Sequence, residues 1–126
     1  MGDASTDKAR AVILFGHGSR DPLWRRPMEA VAARLLASHP GLNVACAYLE
    51  LQQPDLAAAT AQLVASGAAA VTIVPMFLGA GRHVREDLPT LVEALRASHT
   101  GVHFRLQAPV GEDPRVLDLL AAIATE

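Results

Sequence analysis

Three segments of the chain carry side chains able to bind a metal or move a proton: Gly16-His17-Gly18-Ser19-Arg20-Asp21, Leu49-Glu50-Leu51-Gln52 and Gly79-Ala80-Gly81-Arg82-His83. His17 and His83 offer imidazoles, and Glu50 offers a carboxylate. Two imidazoles and one carboxylate form a common ligand set for a first-row divalent cation that keeps coordination positions open, and the same groups serve as proton acceptors near neutral pH. Taken singly each has a plainer reading. A histidine between glycines can be a turn residue, and a glutamate after an apolar run can be solvated or cap a helix. Their weight depends on whether the fold delivers all three to one place.

The elements needed to do so are legible. Short apolar runs, AVILF at 11–15, NVACAYL at 43–49, AVTIV at 70–74 and HFRLQ at 103–107, alternate with stretches of helical period. Met28, Val31, Ala32, Leu35 and Leu36 keep the spacing of one helix face, as do Leu88, Leu91, Val92 and Leu95. A second helix is expected over roughly 54–66 with Pro54 in its first turn, and a fourth opens with Asp113 as N-cap and Pro114 behind it. Glycines at 41, 67 and 101 are expected as C-caps. Strands joined by helical crossovers predict an α/β fold: an open parallel sheet of about four strands in βα repeats, with helices on both faces. In such sheets ligands bind beyond the carboxyl ends of the strands. His17, Glu50 and His83 each follow a strand, so all three belong at that edge.

The remaining polar residues sort by the same geometry. Arg20, Arg25, Arg26, Arg82 and Arg85 fall in the two segments that carry His17 and His83, an arrangement suited to a ligand bearing several carboxylates or phosphates. The plainer reading is two solvated helix starts partly neutralised by Asp21, Glu86 and Asp87. Gly16, Gly18, Gly79 and Gly81 would let backbone approach a bulky ligand, although tight turns alone also explain them. His39 and His99 precede expected C-caps and His103 opens a strand, so these three belong at the opposite edge as structural or surface residues. Cys46, mid-strand, reads as a small buried hydrophobe, and Met76, within PMFL, as core.

The chain has 126 residues, 51% of them hydrophobic and 19% charged, which fits one domain over 9–126 behind a disordered polar tail at 1–8. A net charge of −2 and 4% aromatic residues provide neither the basic footprint nor the stacking platforms of a nucleic-acid binder. No run reaches the ~18 apolar residues of a membrane helix, and a single cysteine fits the reducing cytoplasm. The dinucleotide fingerprint, the Gly-Lys-Ser/Thr phosphate loop and the nucleophile elbow are all missing. A phosphoryl-transfer reading with His17 as nucleophile would want Arg directly before the His-Gly pair, where this chain has Gly16.

Four motifs in order, HGSRDP after the first strand at 12–22, YLEL followed by Pro at 48–54, VPMFLGAGRHVREDLP at 74–89 and APVGEDPRVLDLL at 108–120, resemble the small single-domain sirohydrochlorin chelatases of the CbiX type, within the class II chelatase superfamily. The resemblance spans nearly the whole chain. It implies a lyase that inserts Co²⁺ or Fe²⁺ into sirohydrochlorin, a tetrapyrrole with eight carboxylates, on the route to cobalamin or siroheme. The family's metal-handling residues carry over onto His17, Glu50 and His83. The polycarboxylate then accounts for the arginines, with Gly18, Ser19, Gly79 and Gly81 shaping the substrate site. Longer relatives carry two such domains facing one cleft, which implies a homodimer here, and neither an organic cofactor nor ATP is implied. Two alternatives use the same residues: a non-enzymatic metal-delivery protein, and a nickel-inserting relative of the same fold.

Overall fold

In the computed structural model, which describes residues 9–126, four strands pair in parallel in the order β2-β1-β3-β4. They are β1 (Arg10–Gly16), β2 (Asn43–Tyr48), β3 (Ala70–Pro75) and β4 (His103–Leu106). The expected tail at 1–8 lies outside the described residues. Ile13 sits opposite Ala45 on one side and Ile73 on the other, so β1 is central and both its faces are covered, which explains its nearly unbroken apolar run.

Four helices follow the strands in turn: α1 (Arg26–Ser38), α2 (Leu56–Ala65), α3 (Arg82–Ser98) and α4 (Pro114–Ala124). Strand alternation splits the apolar side chains between two layers. Ile13, Phe15, Val71, Ile73 and Phe104 meet α2 and α3 through Leu56, Ala59, Leu63, Leu88, Val92 and Leu95. On the other face, Leu14 and Tyr48 pack with Met28 of α1. The α/β class, the four parallel strands and helices on both faces are as the sequence predicts.

Several local expectations are corrected. The second helix begins at Leu56, not 54, because Asp55 is its N-cap, its carboxylate accepting from the Ala58 N–H at 2.8 Å; Pro54 lies before the helix. Of the three glycines expected as C-caps only Gly67 is left-handed, at φ +103°, while α1 and α3 end on His39 and His99 themselves. The α1 face is shallower than its periodicity implies, since only Met28 is buried and Val31 and Leu36 are exposed. Leu91 of α3 is exposed too. Cys46 is half-buried, not fully buried. The strands match their sequence bounds to within a residue.

The cap of α4 forms as expected, with Asp113 accepting from the Arg115 N–H at 2.9 Å. Its body differs from the others. None of its residues is buried, and Leu117, Leu119, Leu120 and Ile123 all face outward. Among the described residues no helix is long and apolar enough to cross a membrane.

Candidate metal and tetrapyrrole site

The chain runs outward from central β1 to β2, then back past it to β3, so the connections leaving the carboxyl ends of β1 and β3 diverge to opposite faces. That divergence opens a crevice between neighbouring strand ends, where open α/β sheets bind ligands. His17 directly follows β1 and His83 lies in the first turn of α3, after β3. Both line one cavity of about 180 Å³ walled by Phe15, Leu49, Val84, Leu88 and Leu91. Glu50, just beyond β2, reaches His17 from the side, with Nε2 and Oε1 3.2 Å apart. The expectation that strand ends gather these three residues at one edge therefore holds.

Backbone, not side-chain packing, fixes that first pair. Leu49 N–H donates to Gly16 O at 2.9 Å and Glu50 N–H to His17 O at 3.1 Å, so the two segments continue the β1–β2 pairing past the strands. Gly18, at φ +101°, allows this closeness: a Cβ there would stand 1.8 Å from the Glu50 carbonyl oxygen. The glycine thus admits the protein's own backbone rather than a ligand. Gln52 completes the lock, its Oε1 accepting from Ser19 N–H at 3.2 Å while its own N–H donates to Glu50 O at 2.8 Å. That last bond closes a γ-turn on Leu51 at φ +67°, a conformation a leucine rarely adopts. Ser19 spends its hydroxyl on Asp21 N–H, which shapes the turn into α1.

The second imidazole is held differently. Phe77 O accepts from Gly111 N–H at 2.9 Å, and a Cβ on Gly111 would fall 1.8 Å from Leu78 O, so the start of this loop is pinned by the turn before α4. Past Leu78 the loop is held more lightly: Ala80 O accepts from the Arg85 guanidinium at 3.4 Å, and a Cβ on Gly79 or Gly81 would meet no atom within 4 Å. Gly81 is the N-cap of α3 and supplies no side-chain bond.

His17 and Glu50 remain about half exposed, so their contact adds little to stability and leaves lone pairs free for an incoming cation. Among the described residues no group of three or more His, Cys, Asp or Glu lies close enough to hold a metal ion. His17 and Glu50 touch, and His83 lines the same cavity as His17 without completing a three-ligand cage. The arginines do not converge either. Arg82 pairs with Glu86 at 3.0 Å, and Arg25 lies 3.8 Å from Glu29 in a groove with Cys46 and Tyr48 on the α1 face. Arg85 lines a separate cavity of about 310 Å³ with Phe77, Leu106 and Glu112. Arg20 and Arg26 are exposed. At the opposite edge, His99 packs on Phe104 and His103 opens β4, consistent with structural roles.

Two site residues escaped the sequence reading. Gln52 looked like loop, because only the folded γ-turn aims its amide at Ser19. Asp87 was counted as charge balance for the arginines, yet it lines the same cavity as His17 and His83. Its signal was available in the four-residue spacing from His83.

Comparison with known proteins agrees with this fold. A solved structure of a putative cobalamin biosynthesis CbiX protein from Marinobacter aquaeolei superimposes with a TM-score of 0.80 at 37% identity, covering 92% of this chain and 94% of that one. A sirohydrochlorin cobaltochelatase of Sulfurisphaera tokodaii is 29% identical over 109 residues, 86% of either chain. The sirohydrochlorin chelatase SirB of Bacillus subtilis, solved with cobalt, shares the fold at a TM-score of 0.70 and 24% identity; the match covers 90% of this chain but only 48% of SirB. The CbiX family model matches residues 11–126, and the chain belongs to that family.

Proposed function

We propose that the protein inserts a divalent metal into sirohydrochlorin, with His17, Glu50 and His83 at the point where metal and ring meet. The observation that carries this reading is the pairing of His17 with Glu50 beside a cavity that His17 and His83 both line. Insertion exchanges two pyrrole N–H protons for one M²⁺, so the site must present the metal on one side of the ring and accept protons. An open pair of oxygen and nitrogen donors suits a metal that arrives as substrate and must leave with the product, whereas a closed cage would retain it. Neutral imidazoles serve as the proton acceptors, and the Glu50 carboxylate steadies charge beside His17. Arg20, Arg26 and Arg82 lie in the segments around the rim and are the groups to meet the substrate's carboxylates. Cobalt is the first metal to test, since several curated relatives are named cobaltochelatases; iron, and with it the siroheme route, is the second, and nickel the third.

One chain builds one wall of the cleft. The match to under half of SirB and the outward-facing leucines of α4 support a homodimer in which a second copy supplies the other wall. Sedimentation velocity should show a dimer that Leu119→Glu converts to monomer. A single half-buried cysteine fits a cytoplasmic setting.

The decisive experiment incubates the protein anaerobically with sirohydrochlorin and Co²⁺, Fe²⁺ or Ni²⁺ and follows the visible spectrum against a protein-free control. Wild-type protein should accelerate metallation, and His17→Ala and His83→Ala should each lose about 100-fold or more while keeping the fold. Metal binding without acceleration would make the protein a delivery factor instead.

A further inference from the structure

The first two turns of α3 carry two pairs at four-residue spacing, and they differ in character. Arg82 Nε donates to the Glu86 carboxylate at 3.0 Å, a pair that lies in solvent. One position further round the helix, His83 and Asp87 repeat the spacing; both are exposed too, and both line the cavity that His17 shares, beside Phe15 and Leu88. Among the described residues the Asp87 carboxylate has no ion pair or hydrogen bond, to His83 included, and Arg82 is engaged by Glu86. Side chains four apart on a helix have Cβ atoms about 5–6 Å from one another, within reach of a carboxylate–imidazole hydrogen bond.

We infer that Asp87 is the positioning residue of His83: its carboxylate accepts a hydrogen bond from one ring nitrogen of His83 and turns the other toward the cavity. The site then contains two imidazole–carboxylate pairs, His17 with Glu50 joined across two loops and, once the Asp87 side chain turns to it, His83 with Asp87 along one helix. A carboxylate partner fixes both the ring orientation and the nitrogen that carries the proton, which a histidine in an open helix turn otherwise leaves undetermined. The need is greater for His83 than for His17, because the loop leading to it is tied by fewer backbone bonds and has open space beside Gly79 and Gly81.

The inference rests on the chelatase reading, and the test keeps the two apart. Metallation kinetics are measured for wild type, Asp87→Ala, Asp87→Asn and Asp87→Glu, and for Asp87→Ala in the His83→Ala background, with thermal melts as the folding control. Asp87→Ala should lower kcat by about 10- to 100-fold with KM for the tetrapyrrole unchanged, and Asp87→Glu should restore most of the rate. In the His83→Ala background the Asp87 change should cost nothing further, because there is no ring left to orient. A merely structural role would lower kcat in both backgrounds alike, and that result, or full activity of both Asp87→Ala and Asp87→Asn, overturns the inference alone. Wild-type protein that does not accelerate metallation removes the chelatase reading and this inference with it.

Discussion

The loops that deliver His17 and His83 leave neighbouring strands at the same edge, yet they are built on opposite plans. The segment after β1 is sewn to the segment after β2 by backbone bonds at both Leu49 and Glu50, by the Gln52 amide and by a glycine with no room for a methyl group. The segment after β3 is held by backbone bonds at Met76 and Phe77, by the close approach at Leu78 and by a long contact from Arg85 to Ala80 O, with open space beside both glycines before a helix start without a side-chain cap. One imidazole is placed by two paired backbone segments and the other by a single helix. A site that admits a large planar ring gains from such an asymmetry, with one side tied by backbone bonds and the other held more lightly.

Gly18→Ala should break the fixed side most severely. The new Cβ would collide with backbone at a left-handed φ, so a loss of about 3 kcal/mol is expected in denaturant unfolding, together with loss of metallation. Gln52→Ala removes only the amide that ties the two loops. About 1 kcal/mol and a measurable fall in kcat should follow, with the His17–Glu50 pair loosened. Gly79→Ala probes the open side, where the added methyl meets nothing, and unfolding free energy should stay within about 0.5 kcal/mol of wild type. A large destabilisation by Gly79→Ala, or none by Gly18→Ala, would erase the contrast.

The smallest effect concerns the cap of α4, behind the turn that pins Phe77. The Asp113 carboxyl is held down at about 2, chiefly by side-chain hydrogen bonds from Arg115 and then by the Arg115 N–H. Its folded value lies below the ordinary one near ~3.9, so its contribution is complete above about pH 4 and disappears as pH falls through 2. The amide shift of Arg115 should follow that titration by NMR, and Asp113→Asn should abolish it.

How much of this was readable beforehand differs between the two loops for a physical reason. Strand-end placement needs only the period of the apolar runs, so His17, Glu50 and His83 could be assigned to one edge from sequence. The contact of His17 with Glu50 follows from β1 and β2 being neighbours, which the βα order alone leaves open. Gln52 depends on a γ-turn whose only trace is an ordinary leucine at position 51. Asp87 was hidden among arginines whose partners it might equally have been, until Glu86 proved to be the residue that Arg82 engages. The caps failed in a similar manner: a glycine after a helix marks an end, but whether it adopts φ > 0 depends on the turn beyond it. The exposed leucines of α4 show the limit of periodicity, which identifies a face that seeks burial without saying which surface will bury it.

The single thiol of the chain sits in β2, half-buried on the α1 face, and burial reinforced by the nearby Glu29 carboxylate pushes its pKa up. Near neutral pH it is therefore a poor nucleophile, and slow labelling of the wild-type protein by maleimides is the expected outcome. A Gly79→Cys substitution on that background would provide one addressable handle on the unpacked loop. An environment-sensitive dye attached there would report directly whether the β3 wall moves when a tetrapyrrole enters, a motion that turnover measurements alone do not resolve.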